Sequence, residues 1–378
     1  MLAKKPPMGW NSWNTFGWNI NDKLIRETAD AMVETGLRDA GYEYVVIDDC
    51  WSLRRRGPDG RIVPDPEKFP YGMKDLADYI HSKGLKFGMY SCAGTMTCAG
   101  FPGSFDHEFL DAETFASWGV DYLKYDFCFK PNLANGPILY NRMAMALKAT
   151  GREILFSACN WGSDNVERWI RSSGAHMYRS TGDIWDNFDS IRRIARSQMD
   201  KLAYSGPGCY NDIDMLVCGM YGKGNVGGNA GGCSDLEYRT HFALWCMYSS
   251  PLMIGCDVRN MSEETRKLLL NRDLIAINQD EEARPPMFFI GNSESGRVGM
   301  FRHLSNGEYA FAFVNYDDRE GGMVCQLYDI GLTVDSGYGF ELTDIFTGEV
   351  RGPYNDYFGV HRLQPHEIKV YKARLVKM

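Results

Sequence analysis

Eight short apolar runs, separated by helix-like segments, recur along the first two thirds of the chain and constrain its fold more than any other feature. The runs cover residues 8–13, 42–49, 85–90, 121–126, 154–158, 176–183, 206–212 and 251–257. The segments between them have amphipathic spacing, and residues 23–39 are an example. Because parallel strands joined by helices close into a barrel after eight repeats, the pattern predicts an α/β fold, a (β/α)8 TIM barrel.

The pattern changes after about residue 285 to alternating apolar and polar residues without helices. Residues 297–315 predict a hairpin around an Asn306-Gly307 turn, and residues 340–346 and 366–373 continue the alternation. We therefore expect a small antiparallel β-sandwich after the barrel. The predicted domains are 1–284, the barrel, and 285–378, the C-terminal β domain.

The composition limits the kinds of ligand that the protein can take. The net charge is −8 and the pI about 5.5, so no basic surface is indicated for a nucleic-acid backbone. No run approaches the ~18 apolar residues that a membrane span needs. We expect a small neutral ligand and no nucleic-acid or membrane partner, while the sequence leaves open whether the chain forms a homo-oligomer.

The N-terminal segment and the cysteines bear on the cellular compartment. The segment MLAKKPPMGW has two lysines but neither an apolar stretch nor a small-residue cleavage site, so it does not resemble a signal peptide. We expect a cytoplasmic protein or a mature secreted form. Eleven cysteines without a CxxC pair indicate neither a zinc site nor a complete disulfide framework.

Charged residues end four of the predicted strands, where the active site of a barrel enzyme lies. An Asp after a strand often caps the next helix, with about even odds for each one alone, but here four such strand ends meet at one mouth. Lys124 and Asp126 are two residues apart, so both side chains face the barrel interior. The full set is Asp48, Asp49, Lys124, Asp126, Arg179, Asp183, Asp212 and Asp214.

Two carboxylates in one pocket supply the two roles of glycoside hydrolysis, a nucleophile and a proton donor. Metal ligation would more often include histidine, and no histidine ends these runs. We therefore expect hydrolysis of a carbohydrate without a metal or another cofactor.

Five ordered motifs resemble those of the glycoside hydrolase family 27 α-galactosidases. They are residues 8–13 (MGWNSW), 47–51 (IDDCW), 97–104 (TCAGFPGS), 123–126 (LKYD) and 211–216 (NDIDML), followed by residues 278–280 (NQD). The resemblance spans the predicted barrel and is limited to β character in the C-terminal part. It implies a retaining exo-α-galactosidase that removes terminal α-D-galactosyl groups from oligosaccharides or glycoconjugates.

The resemblance also implies a role for each matching residue. Asp126 corresponds to the nucleophile and Asp183 to the general acid/base, and a retaining enzyme holds these two carboxyl groups about 5–5.5 Å apart. Before bond cleavage we expect Asp183 to be protonated and Asp126, beside Lys124, to be ionised. The implied sugar-binding residues are Trp13, Asp48, Asp49, Tyr90, Lys124, Asn160, Trp161, Arg179, Asp214 and Met215.

Within this set, the resemblance implies that Asp48 and Asp49 bind the axial 4-hydroxyl and the 6-hydroxyl of the sugar. Lys124 would reach the 3- and 4-hydroxyls, and Trp13 and Trp161 would form walls of the pocket. Cys98 and Cys128 match a pair that forms a disulfide beside the nucleophile in that family. Two buried thiols are the alternative if the host compartment is reducing.

Asn160 bears on the choice among related activities. Many family members that act on galactose have Glu at this position, and those that act on N-acetylgalactosamine have a small residue. We expect Asn160 to face the 2-position of the sugar and to favour galactose. The alternatives are an α-N-acetylgalactosaminidase or a β-L-arabinopyranosidase of the same family, or a carbohydrate-binding protein on an inactive barrel.

Overall fold

The computed structural model describes residues 2–227 and 231–378. Each of the eight predicted runs overlaps a parallel strand, so the predicted barrel is confirmed. Hydrogen-bonded neighbours follow the order β7-β6-β5-β4-β3-β2-β1-β8, and a parallel bridge between Leu216 and Ile254 joins the two ends of this sheet. The strands are β1 (Met8–Asn11), β2 (Tyr44–Val46), β3 (Lys86–Cys92), β4 (Tyr122–Asp126), β5 (Leu155–Cys159), β6 (Met177–Arg179), β7 (Tyr210–Asp212) and β8 (Leu252–Ile254).

Nine α-helices in the described part of the chain accompany these strands. Side-chain caps begin several of them: Asn21 accepts the Leu24 N–H, and Ser234 forms a capping box with Glu237. The helices are α1 (Trp13–Phe16), α2 (Asp22–Glu34), α3 (Gly72–Ser82), α4 (Glu108–Ser117), α5 (Gly136–Ala149), α6 (Phe188–Ser197), α7 (Asp235–Met247), α8 (Glu263–Leu269) and α9 (Arg272–Asn278). None of the described helices is long and apolar enough to cross a membrane.

Helix α2 ends earlier than its amphipathic pattern predicts. The pattern extends over residues 23–39, but the helix stops at Glu34. Gly36 has a φ of 86°, a left-handed conformation that glycine adopts without steric cost and that ends helices. Leu37 is nevertheless fully buried, so the apolar periodicity continues past the helix as packing of the turn.

The strand register places the polar side chains of the barrel in layers. Tyr90 on β3 is opposite Lys124 on β4, and Cys92 is opposite Asp126. Below this layer, Tyr44, Val46, Tyr122, Leu155 and Met177 pack in the barrel interior with Met215 and Met253. The interior is therefore closed beneath the carboxyl ends of the strands.

The C-terminal part forms two antiparallel sheets, which confirms the predicted β domain. Six strands follow the order β14-β13-β16-β11-β10-β9, and β12 pairs with β15. Phenylalanines such as Phe311, Phe313 and Phe358 pack in a common core. The strands are β9 (Met287–Ile290), β10 (Arg297–His303), β11 (Tyr309–Asn315), β12 (Gly321–Gln326), β13 (Tyr338–Asp344), β14 (Val350–Tyr354), β15 (Tyr357–Leu363) and β16 (Ile368–Lys377).

The β domain packs against the barrel at helix α7. The Thr240 hydroxyl donates to the His366 carbonyl (2.6 Å), and the His366 ring contacts Glu237 (2.7 Å). Val298, Ala312 and other residues of β10 and β11 belong to the same apolar core as the barrel helices. We propose the domain boundary at residues 284 and 285, in the segment that links α9 to β9.

Candidate active site

A cavity lies at the carboxyl ends of the barrel strands. Most of the residues expected to bind substrate line it, including both expected catalytic carboxylates. Cys98 of the expected cysteine pair is among them, whereas Cys128 is not, and three residues that were not expected also line the cavity, namely Asn14, Cys159 and Val226. The lining consists of Trp13, Asn14, Asp48, Asp49, Tyr90, Cys98, Lys124, Asp126, Cys159, Trp161, Arg179, Asp183, Asp214, Met215 and Val226.

Asp126 ends β4 and is only 6% exposed. Its Oδ2 accepts a hydrogen bond from the Tyr90 hydroxyl (2.9 Å), and its Oδ1 accepts one from the Phe127 N–H (2.9 Å). Burial raises the pKa of the Asp126 carboxyl to about 6, although nearby Lys124 and the Tyr90 hydrogen bond oppose the rise. The carboxyl group is therefore buried and held in a fixed orientation.

Lys124 forms an ion pair with Asp48, across the barrel interior from β4 to the end of β2. The Nζ–Oδ2 distance is 2.8 Å, and the Asn11 amide also donates to Asp48 Oδ2 (2.7 Å). Burial would lower the pKa of the Lys124 ammonium, but the charges of Asp48 and Asp126 and the hydrogen bond to Asp48 act together against it, and the pKa lies well above the usual value. The ammonium group thus stays charged beside Asp126 and presents donors to the cavity.

Asp49 anchors the loop that carries the disulfide. Its Oδ1 accepts the Cys50 N–H (2.7 Å), and its Oδ2 accepts the Ala99 N–H (3.1 Å). Burial raises the pKa of the Asp49 carboxyl. Because Asp49 contacts residue 99 directly, the position of this carboxylate depends on the conformation of residues 97–103.

Cys98 and Cys128 form a disulfide, with Cα atoms 5.2 Å apart. Cys98 Sγ lies 3.6 Å from Asp126 Oδ2, so the bond closes one side of the cavity next to that carboxylate. Gly94 packs tightly against the backbone of Cys128, since a Cβ at residue 94 would clash with the Cys128 carbonyl oxygen. The other nine cysteines, all in the described chain, are free and buried.

Arg179 ends β6 and binds two carboxylates. Its Nη1 is 2.9 Å from Asp214 Oδ1, and its Nη2 is 3.0 Å from Asp183 Oδ1. Asp214 also accepts the N–H groups of Ile184 (2.7 Å) and Met215 (2.8 Å). Arg179 and Asp214 are both buried, whereas the Asp183 side chain is 66% exposed. Of the two expected catalytic carboxyl groups, Asp183 is thus the outer one.

The pKa order of the two carboxyls is the reverse of the expected order. Burial tends to raise the pKa of Asp183, but the charges of Arg179 and Lys124 and the hydrogen bond of Arg179 together outweigh it and hold that pKa below its usual value. Asp126 has no such partner, because the Lys124 ammonium pairs with Asp48. Spacing along β4 correctly places Lys124 near Asp126, but only the fold shows that this ammonium binds another carboxylate.

The expectation that Asn160 faces the sugar is wrong. Its side chain is fully buried, lies outside the cavity lining, and donates to the Ser163 carbonyl (2.8 Å). The cavity wall at this point consists of Cys159 and Trp161. The period of two along β5 explains the difference, because Ser157, opposite inward-facing Lys124, and Cys159 share one side. Asn160 therefore points to the other side.

The sequence analysis missed several residues that line the cavity or hold its side chains in place. Asn11 orients Asp48 and also accepts the Trp13 N–H (2.9 Å). It ends β1 within the MGWNSW motif, so a polar residue at a strand end was the available signal. The alternation along β5 that turns Asn160 away from the cavity also places the Cys159 side chain on the cavity side. Val226 carried no signal, because it reaches the cavity from a long loop that the strand pattern does not position.

One group of potential metal ligands occurs within residues 2–227 and 231–378. It consists of Cys98, Asp126 and Cys128. Both sulfurs belong to the disulfide, and metals bind cysteine as the thiolate. These three residues therefore form a covalent bridge beside a carboxylate rather than a metal-binding set.

Comparison with known proteins adds independent information. The family model Melibiase_2, described as Alpha galactosidase A, matches residues 5–280. The chain is 52% identical to Alpha-galactosidase 3 of Arabidopsis thaliana over 280 residues, covering 74% of this chain and 61% of that protein. It is 50% identical to an Alpha-galactosidase of Oryza sativa subsp. japonica, covering 88% and 76%. The crystal structure of alpha-galactosidase I from Mortierella vinacea is similar, with 33% identity, a TM-score of 0.89, and coverage of 98% and 97%.

Proposed function

Because the chain belongs to the α-galactosidase family of glycoside hydrolases, we propose that it is a retaining exo-α-galactosidase. In this proposal it hydrolyses terminal α-D-galactosyl groups from oligosaccharides or glycoconjugates by double displacement. The observation that carries the proposal is one cavity with two unlike carboxyls. Asp126 is buried and oriented by Tyr90, and Asp183 lies at the opening beside Arg179.

In the first step the Asp126 carboxylate attacks the anomeric carbon from the β face of the sugar. The bond between that carbon and the glycosidic oxygen breaks, and Asp183 gives its proton to the leaving oxygen. The product is a covalent β-galactosyl ester of Asp126. Burial of Asp126 favours this step, since a carboxylate with few hydrogen-bond donors loses little stabilisation when its charge is consumed.

In the second step Asp183, now ionised, takes a proton from water. The resulting hydroxyl attacks the anomeric carbon from the α face and releases galactose with its original configuration. Asp126 is regenerated as a carboxylate. The exposure of the Asp183 side chain allows water to reach it once the leaving group has departed.

The remaining lining residues suit a single galactose unit. Asp48, Asp49 and Lys124 form a charged set that can donate to and accept from the ring hydroxyls. Trp13 and Trp161 supply flat apolar parts of the cavity wall. Because the barrel interior is filled beneath this layer, only a terminal sugar fits, which supports exo action.

A panel of nitrophenyl glycosides tests the proposed function. We expect kcat/KM to be highest for the α-galactoside, above the α-N-acetylgalactosaminide and the β-L-arabinopyranoside. Cys159 and Trp161 form the cavity wall at the end of β5, so the acetamide group of the α-N-acetylgalactosaminide has less room than a hydroxyl group. The β-L-arabinopyranoside lacks the hydroxymethyl group of galactose, so polar residues of the cavity are left without a hydrogen-bond partner when it binds. Equal or higher kcat/KM for either alternative sugar would transfer the assignment to that activity, and absence of any turnover would favour a binding protein.

The dependence of kcat/KM on pH should show an optimum on the acid side of neutrality. Catalysis needs one proton on the carboxyl pair, placed on Asp183. With the pKa of Asp126 raised to about 6 by burial and that of Asp183 lowered by Arg179, the pair loses its last proton as pH rises through about 6. We expect kcat/KM to fall roughly tenfold per pH unit above that value. A profile measured from pH 3.5 to 8 that is flat or rising above pH 6 would contradict this ordering.

A further inference from the structure

Three exposed aromatic side chains follow three consecutive strands of the barrel. Phe129 follows β4 and is 55% exposed, Trp161 follows β5 and is 36% exposed, and Trp185 follows β6 and is 47% exposed. Strands β4, β5 and β6 are hydrogen-bonded neighbours, so the loops after them lie side by side at the mouth. We call these three residues the aromatic rim.

The backbone of the aromatic rim is held in place. The Phe129 carbonyl accepts the Thr95 N–H (3.2 Å), and the residue has a φ of 48°. The Trp185 N–H donates to Ser190 Oγ (3.0 Å). Next to it, the Asp186 N–H donates to the Val226 carbonyl (3.1 Å). Large aromatic groups exposed on a fixed backbone are typical of a ligand-binding surface rather than of a collapsed core.

The positions of the two carboxyls determine on which side the leaving group lies. Asp126 is buried, so the anomeric carbon must enter the cavity, and the bond to be broken then points outward. Asp183 protonates the leaving oxygen, and this side chain is 66% exposed at the end of β6. The leaving group therefore exits past β6. Trp185 lies two residues after Asp183, in the same loop.

On the basis of the proposed function, we propose that the aromatic rim binds the sugar units to which the terminal galactose is attached. The C–H groups on one face of a pyranose ring carry partial positive charge and match the negative face of an aromatic ring. Trp185 and Phe129 supply such faces outside the galactose pocket, and Trp161 continues them to the pocket wall. The rim thus selects oligosaccharides over galactosides with small leaving groups.

The test compares raffinose, whose leaving group is a disaccharide, with α-galactosyl fluoride, whose leaving group is a single ion. For Trp185→Ala we expect kcat/KM for raffinose to fall about fivefold to tenfold, mainly through KM. Hydrolysis of the fluoride should stay within about twofold, since galactose binding is untouched. Phe129→Ala should act in the same direction with a smaller effect, and Trp185→Phe should retain part of the raffinose activity.

A matched control is Tyr328→Ala, which removes an exposed aromatic side chain of the β domain. This variant should change kcat/KM for neither substrate. The inference is overturned if Trp185→Ala leaves kcat/KM for raffinose unchanged, or if it lowers kcat/KM for raffinose and for the fluoride equally. Fluoride hydrolysis by Trp185→Ala also shows whether the variant is folded, because this reaction requires an intact galactose pocket. If the wild-type protein hydrolyses neither compound, the proposed function fails first and the rim proposal with it.

Discussion

Asp126→Asn is expected to lower kcat by at least about 10⁴-fold, equivalent to about 5.5 kcal/mol of transition-state stabilisation. The amide has nearly the shape of the carboxylate, and its oxygen can still accept from Tyr90. Folding should therefore be preserved, while the covalent step is lost because an amide does not attack the anomeric carbon. Steady-state hydrolysis of nitrophenyl α-galactoside measures the loss, and an unchanged thermal unfolding midpoint confirms the fold.

Azide provides a stereochemical control for the nucleophile. In Asp126→Gly the cavity left by the side chain admits an azide ion, which attacks the anomeric carbon from the β face and displaces the leaving group. The expected product is β-galactosyl azide, formed with inversion. Wild-type-like turnover of Asp126→Asn, or an α-azide from Asp126→Gly, would refute the assignment.

Asp183→Ala is expected to affect substrates according to their leaving groups. Nitrophenolate leaves without a proton, so the galactosyl ester of Asp126 still forms, but its hydrolysis is slow without the base. A burst of nitrophenol followed by a slow steady state should appear. Raffinose needs protonation of a sugar hydroxyl, so its kcat/KM should fall about 10²–10⁴-fold.

Azide distinguishes this role from that of Asp126. In Asp183→Ala it should attack the galactosyl ester from the α face and give α-galactosyl azide, with retention and faster turnover. The two variants therefore predict opposite anomers of one product, which nuclear magnetic resonance separates. A steady-state rate of Asp183→Ala equal to that of the wild type, without a burst, would exclude Asp183 as the acid/base.

The reversed pKa order has a consequence for how the site operates. In the free protein the proton of the pair resides mainly on Asp126, because burial raises its pKa while Arg179 lowers that of Asp183. With the roles proposed for the two carboxyls, the reactive arrangement has the proton on Asp183 and is then the minor one. A bound sugar can change this balance by displacing water from Asp183, since removal of water disfavours its charged form.

Much of the architecture could be predicted, because helices and strands produce recognisable patterns of apolar and polar residues over short stretches of the sequence. The eight strands follow from apolar runs at regular intervals, and the hairpin of β10 and β11 follows from alternation around Asn306 and Gly307. The positions of Asp126 and Asp183 follow from the rule that barrel strands present their carboxyl ends at one face. Where prediction failed locally, as for the end of α2, a single glycine outweighed a continuing apolar pattern.

The barrel, the β domain and the residues that end the strands follow from the amino-acid sequence, because the periods of helices and strands depend only on neighbouring residues. The pairing of those residues depends on the three-dimensional arrangement of the chain. In the fold, Lys124 pairs with Asp48 rather than with Asp126, Asp126 is more buried than Asp183, and Asn160 points away from the cavity. The fold also brings the aromatic rim together from three loops. The physical reason is that charge pairing and burial depend on distances between segments far apart in the chain, which no local pattern encodes.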